Sequence, residues 1–544
     1  MQTKFSRRSI LVAGLGASAG AVCGLRWQLA DNDRSLSVTG TDPTRPNAEL
    51  VSDSTEPINV LDFGAIGDGD EQRSVANNAA IQAALDTGRD IFLGGTGQSF
   101  ALAAPLRLST GQTLFGGNAT LFAAKRMSCL LLGADNTTIE STNFDCRNSA
   151  PASGVPIEAT GAVYGVQLKN VIDCVIRNCT FTRYKRGISI TSSARGKVCK
   201  NHLIEDCIAI AGFSWPGHRS GNQQHGAYVG SEARAEARSI SDYAEFERDA
   251  ADVRDIRFLN WRAIEGQYGL ALHRCSNVSV LGGVFRKMSR AISIQHQSRG
   301  ILVTDARIEN TDSAGIHMAQ GAHKITVKGN TVLGTMANDN AAIQGYYGIR
   351  DVVVEDNILN SRFEEWKGGI HNEKRAPGAG IRFGQQAEEI RIQNNEISGY
   401  RWAIQLKTTI YESVIRPSDP NYWNTGIRNI RVENNSITGG QFLESNRSRR
   451  SLEKIDTFGV VVAISGEWED IEKGGWNVSG IDVKSNTVSD VGTAFAISQV
   501  PMRSWKMNPK LRTRSVVFQD NQVERAIEKC ITAGASHLCP QHRK

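Results

Sequence analysis

Residues 301–358 read ILVTDARIENTDSAGIHMAQGAHKITVKGNTVLGTMANDNAAIQGYYGIRDVVVEDNI and contain three versions of one pattern. The versions are ILVTDARI (301–308), ITVKGNTV (325–332) and VVVEDNIL (352–359), each an alternating aliphatic segment, a short polar turn and a second alternating pair. They return every 24 to 27 residues, and period-2 alternation is typical of β-strands. A short repeat of strands predicts a stacked β-solenoid in which each repeat forms one coil.

The pattern recurs along most of the chain. Further versions are TTIESTNF (137–144), CVIRNCTF (174–181), HLIEDCIA (202–209), IRFLNWRA (256–263), VSVLGGVF (278–285), IRIQNNEI (390–397), IRVENNSI (430–437), IDVKSNTV (481–488) and VVFQDNQV (516–523). Their equivalent turn positions are spaced by 22 to 54 residues, and the last six of these positions are Asn. Short spacings indicate bare coils, and long ones indicate coils with loop insertions, which tend to cluster on one face of a solenoid.

A capping segment is predicted at residues 58–90, before the first coils. We expect a short strand at 59–63, a Gly-rich turn and a helix at 74–85 whose apolar stripe contains Ile81, Ala84 and Leu85. An open solenoid end would expose apolar core and unpaired strand edges, so it needs such a cap.

This segment resembles the N-terminal cap of the pectate-lyase-like superfamily. The matching residues are Asp62-Phe63-Gly64-Ala65, Gly67-Asp68-Gly69 and Ala80-Ile81-Gln82-Ala83, whereas Gln72 to Asn78 replace the acidic Thr-Asp-Asp of the family pattern. The resemblance covers about 30 residues and implies an all-β fold, a single-stranded right-handed parallel β-helix with a short N-terminal α-helical cap.

The first 30 residues resemble a twin-arginine export signal, with Arg7-Arg8 followed by a 15-residue apolar run from Ile10 to Gly24. Residues 31–56 are polar and aperiodic, which predicts a disordered linker. The β-helix domain is expected at 57–529, and 530–544 form a polar C-terminal tail. We therefore expect a periplasmic or secreted protein, a monomer or small homo-oligomer, with the twin-arginine machinery as a partner and no stable membrane span in the mature chain.

The charge balance gives no reason to expect nucleic-acid binding. The chain has 62 Lys and Arg against 56 Asp and Glu. Four of the basic residues and no acidic one lie in the first 30, which leaves a mature net charge of about +2. Any affinity for an acidic ligand must come from local clustering.

The ten cysteines include no CxxC pair or Cys/His spacing typical of zinc, and we predict no cofactor, although a metal bound by loops stays open. An exported protein can form disulfides, and Cys530 with Cys539 is one candidate pair. Cys179 and Cys207 occupy equivalent positions of adjacent coils, where either a disulfide or a ladder of buried thiols fits the strand spacing. We favour the ladder.

The second strand of each coil carries the candidate site. Alternation places Ile188, Ala227, Leu270, Ile292, Ile316, Ile343, Ile381 and Ile404 inside. The next residues then point outward as one column, Ser189, Tyr228, Ala271, Ser293, His317, Gln344, Arg382 and Gln405. A second outward column two residues on reads Thr191, Gly230, His273, Gln295, Ala319, Tyr346, Gly384 and Lys407. Together they predict a continuous polar surface roughly 40 Å long.

This surface is rich in His, Tyr, Gln, Arg and Lys and nearly free of acids, which favours a groove for an anionic polysaccharide. β-Elimination or C5-epimerisation of a uronic acid needs a group that neutralises the carboxylate, a base and an acid. Arg382 or Lys407 could neutralise, His317 or His273 could be the base, and Tyr346 or Tyr228 the acid. Tyr228, Gln295, Gln344, Gln405 and Trp402 are predicted to bind substrate.

The leading hypothesis is a metal-independent lyase or epimerase. A calcium-dependent lyase would need an Asp/Glu cluster on this surface, where none is predicted. Loop residues that could border the groove are Trp215, His218, His225, His371, Glu373, Lys374, Arg375, Tyr411, Tyr422 and Trp423.

Two alternatives stay open. One is a non-catalytic polysaccharide-binding or structural protein. The other is a glycoside hydrolase, for which Asn310-Thr311-Asp312 is only a fragment of a known motif.

Overall fold

The structure, a computed structural model, describes residues 56–147, 162–193, 196–211, 224–231, 252–335, 341–362, 378–384, 386–408, 426–439, 457–464, 478–499, 513–526 and 528–532. These residues form the predicted right-handed parallel β-helix, in which strands of successive coils pair in parallel register. The predicted export signal and all of the predicted linker except Glu56 lie outside the described residues.

One wall of the helix is a 15-stranded parallel sheet, called here the first wall. Its strands are Ile58–Asn59, Ile91–Phe92, Thr113–Phe115, Thr138–Glu140, Val175–Arg177, Val198–Glu205, Asp252–Leu259, Ser276–Leu281, Arg299–Thr304, His323–Lys328, Arg350–Glu355, Glu388–Gln393, Ile427–Glu433, Val478–Lys484 and Thr513–Gln519. The aliphatic half of each sequence repeat forms this wall.

The remaining 25 strands form one sheet that bends into a second and a third wall. The second wall contains Ser99–Leu102, Thr120–Ala123, Asn143–Asp145, Thr180–Thr182, Ile208–Ile210, Thr331–Thr335, Ile358–Asn360, Glu396–Ser398, Ser436–Thr438, Thr487–Ser489 and Gln522–Glu524. The third wall contains Leu106–Arg107, Met127–Leu132, Ala162–Lys169, Arg186–Ser192, His225–Ser231, Ala341–Tyr346, Ala379–Gly384, Trp402–Thr408, Phe458–Ile464, Thr493–Gln499 and Glu528–Thr532. Three long strands, Arg262–His273, Val284–Gln295 and Arg307–Ala319, run through both walls.

The N-terminal end is closed by the predicted helix, Ser74–Leu85, whose Ile81, Ala84 and Leu85 are fully buried. The strand predicted at 59–63 is wrong beyond Asn59. Residues Val60–Phe63 form a 3₁₀-helix, and a second 3₁₀-helix spans Glu71–Arg73. The Asn59 side chain accepts a hydrogen bond from the Leu61 amide at 3.1 Å, and this cap turns the chain out of the strand.

The turn between the first and second walls is held by an asparagine ladder. Asn330, Asn357, Asn395, Asn435, Asn486 and Asn521 stack one per coil, and each Nδ2 donates to the Oδ1 of the next at 2.9 to 3.0 Å. The residue before each Asn has a positive φ, as at Asp356 (57°) and Asn394 (56°), which favours Asn, Asp and Gly there. The polar turn of the sequence pattern is therefore this ladder and its left-handed residue.

In two of the earlier coils the ladder position is occupied by cysteine. Cys179 and Cys207 are free, fully buried thiols, and the Cys179 amide donates to the Cys207 sulfur at 3.5 Å. This agrees with the favoured ladder rather than a disulfide. Burial raises the pKa of the Cys179 thiol well above its usual value, so it behaves as a small apolar side chain.

The C-terminal boundary extends further than predicted. Strand Glu528–Thr532 pairs with Thr493–Gln499, so residues 530–532 belong to the last coil and not to a tail. The partner proposed for Cys530, Cys539, lies outside the described residues. None of the helices in the described part of the chain has the length and apolar character to cross a membrane.

Candidate functional site

The predicted inward residues of the third wall are confirmed as core. The eight residues from Ile188 to Ile404 that alternation placed inside are all fully buried in the hydrophobic core. The strand register also stacks the predicted outward column in the expected order, from Ser189 opposite Tyr228 to Arg382 opposite Gln405. We call it the central column, and the parallel one from Thr191 through His273 to Lys407 the trailing column.

A third column, which simple alternation missed, lies two residues before each core residue. This leading column contains Tyr164, Arg186, His225, Tyr268, Arg290, Ala314, Ala341, Ala379 and Trp402. It faces outward because the residue after it points into the core. That inward position is always Gly or Ala, and a Cβ at Gly269 would lie 2.4 Å from Phe285 Cδ1. The recurrent Gly or Ala was the signal in the sequence that two successive residues point inward where the second wall bends into the third.

The three columns together form a surface that we call the polar face. Starting from the coil of Tyr164, Gln167 and Lys169, it carries five cations, Lys169, Arg186, Arg290, Arg382 and Lys407, and three histidines, His225, His273 and His317. Its columns contain no Asp or Glu among the described coils as far as Lys407. Such a one-sided distribution attracts anions, although the chain after residue 30 has a formal net charge of only about +2.

The central column is not the open surface that the sequence predicted. Ser293, Gln344 and Gln405 are 0 to 2% exposed, and His317 and Arg382 are each 5% exposed. Larger, part-exposed side chains of the flanking columns pack against them, such as Gln295 against His317 and Trp402 near Arg382. Apart from the part-exposed Gln167 and Tyr228, the central column is therefore a buried polar layer beneath a partly exposed rim.

His317 is held in one orientation by its neighbours on the preceding coil. The Gln295 Nε2 lies 3.0 Å from His317 Nδ1, and the Ser293 hydroxyl lies 3.4 Å from the same atom. An amide nitrogen can only donate, so Nδ1 accepts and a neutral ring carries its proton on Nε2. Burial, followed by the charge of Arg290, lowers the His317 pKa well below its usual value and keeps the ring neutral. His317 therefore presents an N–H donor, which argues against the predicted role as base.

Gln344 and Tyr346 form a second fixed pair beside His317. The Tyr346 hydroxyl donates to Gln344 Oε1 at 2.6 Å, and the Ala341 amide donates to the same oxygen at 3.2 Å. Gln344 Nε2 is buried without a hydrogen-bond partner. The ring centroids of His317 and Tyr346 are 6.1 Å apart, so the imidazole, the phenol and the Gln344 amide lie side by side.

A second cluster occupies the N-terminal part of the face. It consists of Arg186, His225, Tyr228, Tyr268 and His273, and we call it the His225 cluster. The His225 ring stacks on Tyr268 at 5.0 Å and meets the Tyr228 ring at 5.4 Å, and Tyr228 meets His273 at 5.3 Å. The Arg186 guanidinium lies 3.8 Å from the centre of the Tyr228 ring and donates to Ser189 Oγ at 3.2 Å.

The histidines of this cluster are neutral. Burial lowers the pKa of His225 well below its usual value, and the charges of Arg186 and Lys185 lower it further. Burial also lowers the pKa of His273, with contributions from His296 and His225. Neither ring nitrogen of His225 has a hydrogen-bond partner, nor has Nε2 of His273.

The predicted site residues fall into separate groups. His317, Gln295, Gln344, Tyr346 and Arg382 come together on consecutive coils, whereas Tyr228 and His273 belong to the His225 cluster. Lys407 and Gln405 lie on the coil after Arg382.

Other predicted positions differ from their predicted placement or lie outside the described residues. His225, predicted on a loop, begins strand His225–Ser231. Thr311 is buried against Thr335, at 3.0 Å, so the hydrolase-like fragment does not open onto the face as a unit. The other loop residues named as groove candidates lie outside the described residues.

Comparison with known proteins gives the same architecture. Residues 162–332 match a family model described as a right handed beta helix region. No curated protein matches the sequence.

Similar solved structures include the A-module of the mannuronan C-5 epimerase AlgE4 from Azotobacter vinelandii, with 14% identity, a TM-score of 0.45 and coverage of 88% of this chain and 98% of that one. The Streptococcus pneumoniae surface adhesin PfbA has 13% identity and a TM-score of 0.45, covering 87% and 91%. A tailspike protein of E. coli bacteriophage HK620 in complex with a pentasaccharide has 11% identity and a TM-score of 0.47, covering 88% and 78%. These similarities are architectural, and we assign no function from them.

Proposed function

We propose that the protein binds an acidic polysaccharide along the polar face and acts on it as a metal-independent lyase or C5-epimerase. The observation that carries the proposal is the composition of the face. Among the described residues, its three columns from Tyr164 to Lys407 contain five cations, three histidines and no carboxylate. Successive coils are about 4.8 Å apart, so this charge extends as a stripe that suits a long anionic chain.

The donors of the central column support binding of carboxylate or hydroxyl groups. His317 presents Nε2–H, Gln344 presents an unpartnered Nε2, and Arg382 supplies a charged guanidinium. Trp402 gives a part-exposed ring with Arg401 at 4.5 Å, which suits stacking against a sugar. A buried donor left unpartnered has a cost that a bound ligand would relieve.

The second candidate function is binding without catalysis. It is favoured by the hydrogen bond from Gln295 to His317 Nδ1, which occupies the ring's lone pair and argues against one of the two predicted bases. Hydrolysis has less support, because it needs two carboxylates and the described columns of the face contain none.

A panel of uronic-acid polymers tests the proposal. A lyase generates ultraviolet absorbance from unsaturated ends, and an epimerase exchanges the C5 proton with deuterated solvent. Binding to a polysaccharide array without either signal would leave the binding function and refute catalysis. New reducing ends without unsaturation would indicate hydrolysis.

A matched pair of arginine variants tests whether the face is the binding surface. Arg382→Gln should weaken polymer binding roughly tenfold or more, because a charged hydrogen-bonded contact is worth about 1.5–3 kcal/mol. Arg391→Gln, on the exposed side of the first wall, should leave binding unchanged. Equal effects of the two substitutions would refute the assignment.

We also propose export through the twin-arginine pathway to the periplasm or the medium. The Arg7-Arg8 pair supports it. Replacing both arginines by Lys should retain the protein in the cytoplasm, whereas Lys4→Arg should not. Export of the double variant at the normal rate would refute this route.

A further inference from the structure

The His225 cluster combines stacked rings, a guanidinium and unpartnered imidazole nitrogens, and it is separate from His317. The two lie three coils apart, roughly 14 Å at the usual strand spacing, so one sugar cannot contact both. His225 is 3% exposed, yet both of its ring nitrogens lack a hydrogen-bond partner. Buried polar atoms are normally paired, so an unpaired imidazole in a protein interior is a candidate for binding a ligand group.

The unpartnered ring nitrogens of His225 matter because they leave a lone pair that can accept a proton. A neutral ring has one N–H and one nitrogen with a lone pair. In His317 that lone pair accepts from Gln295. In His225 neither nitrogen is engaged, so whichever tautomer forms, one nitrogen can accept a proton.

The neighbours of His225 supply the two other groups that proton chemistry on a uronic acid requires. Arg186 lies next to His225 in the strand register and is part-exposed, so it can bind a carboxylate. Tyr228 is part-exposed, contacts the His225 ring and carries the Arg186 guanidinium over its own ring. A cation beside the phenol stabilises the negative charge that develops when the hydroxyl gives up its proton.

We propose that the His225 cluster is the centre at which a uronic-acid residue is bound and deprotonated, and that the His317 group is a binding subsite of the same polymer. The inference rests on the proposed function. Arg186 binds the sugar carboxylate, His225 is the base and Tyr228 is the acid. Tyr228 is part-exposed and its ring contacts the imidazole edge to face, so a change of its rotamer admits the sugar.

The chemical step balances without any further reactant. His225 takes the C5 proton, the electron pair forms the C4–C5 double bond, the C4–O4 bond breaks and O4 takes the proton of Tyr228. The imidazolium then returns a proton to the phenolate. In epimerisation the C4–O4 bond stays intact, and Tyr228 instead delivers its proton to C5 from the opposite face.

Single-residue variants of the full mature chain test the assignment on the polymer that gives the strongest signal. His225→Gln and Tyr228→Phe should each lower kcat by about 100-fold or more, the usual contribution of a general base or acid. Both should bind the polymer with a Kd within a few-fold of wild type. Arg186→Gln should lose both affinity and kcat.

The matched controls are two other imidazoles near the polar face. His317→Gln should weaken binding but keep kcat at saturating polymer, because His317 binds substrate three coils away. His296→Gln, which touches His273 at 5.0 Å, should change neither quantity. If His225→Gln fails to fold, the part-exposed Tyr228 and Arg186 variants decide the question.

Different experimental results would contradict the role of His225 and the proposed polysaccharide activity. If His317→Gln abolishes kcat while His225→Gln keeps it, the inference is wrong and the polysaccharide activity stands. If wild-type protein binds uronic-acid polymers but neither eliminates nor exchanges protons, both catalytic proposals are wrong. Nitrogen-15 signals of His225 that do not move when tetrameric uronates are added would also overturn the inference.

Discussion

The asparagine ladder gives the sharpest test of what holds the coils together. Asn395→Ala removes five hydrogen-bonded contacts in one step, three of which share the two hydrogens of Nδ2. The side-chain nitrogen donates to Val354 O at 3.0 Å, Gln393 O at 3.0 Å and Asn435 Oδ1 at 2.9 Å, and the side-chain oxygen accepts from the Asn357 amide at 3.1 Å and Asn357 Nδ2 at 2.9 Å. Asn395 is 1% exposed, so water cannot replace these partners easily.

The expected loss follows from the groups left behind. The Val354 carbonyl and the Asn357 amide lose a buried partner, at about 1–3 kcal/mol each, and the remaining bonds contribute about 1 kcal/mol each. These contributions are not additive within a network, so we expect a loss of roughly 3–5 kcal/mol in the free energy of unfolding.

Urea unfolding followed by circular dichroism, with hydrogen exchange of the flanking coils, measures the effect. A stacked array can unfold in parts, so exchange should increase first in the coils on either side of Asn395. The matched control is Asn521→Ala at the last rung, where the side chain is part-exposed and water can replace the lost bonds. A loss below about 1 kcal/mol at Asn395 would refute a structural role for the ladder, and an equal loss at both positions would refute the argument from burial.

Three further perturbations follow from the same structure. Gly269→Ala should lower the free energy of unfolding by about 1–3 kcal/mol, because the added methyl group overpacks against Phe285. Ala291→Gly, at the equivalent position of the next coil, should cause a smaller loss in thermal unfolding. Equal losses would contradict the tight packing of this inward position. Burial lowers the folded-state pKa of His225, His273 and His317. The free energy of unfolding should therefore be highest above the unfolded-state pKa near 6.5. Below that pH it should fall by up to about 1.4 kcal/mol per pH unit for each histidine. The pH slope of the unfolding free energy should be shallower in His317→Gln, and an unchanged slope would argue against its neutral burial. Cys179 and Cys207 should resist alkylation in the native protein and react after denaturation, and mass-spectrometric detection of a disulfide between them would overturn the thiol ladder.

The coil architecture could be predicted because its signals are local. Alternating aliphatic residues and a recurrent turn specify strands and their register, and Ile81, Ala84 and Leu85 specify the buried stripe of the cap. The order of the central column followed as well, since one stacked coil fixes which residue lies opposite the next. Loop-bearing coils kept this register, because an insertion at a corner does not shift the strands on either side.

Side-chain burial and hydrogen-bond direction could not be predicted in this way. Period-2 alternation distinguishes inside from outside but does not show that Gln295 and Ser293 surround His317 or that the ring becomes buried. It also fails where the chain bends, since two successive residues then face the core. At Gly226 and Ala227 this phase change puts the buried His225 on the outer side of the wall, whereas strict alternation would have put it in the core.

The small residues at this corner connect the packing of the core to the chemistry of the face. A Cβ at Gly226 would already lie 2.5 Å from the Gly269 carbonyl oxygen and 3.3 Å from the Ala209 side chain, so the corner bends tightly only with Gly or Ala. The bend turns the preceding residue outward in every coil and thereby adds the leading column to the two that alternation provides. Without that column the face would keep Arg382 and Lys407 but lose Arg186, His225 and Tyr268. The small residues that the core requires at this corner therefore turn outward the His225 imidazole and the Arg186 guanidinium, on which the proposed proton transfer depends.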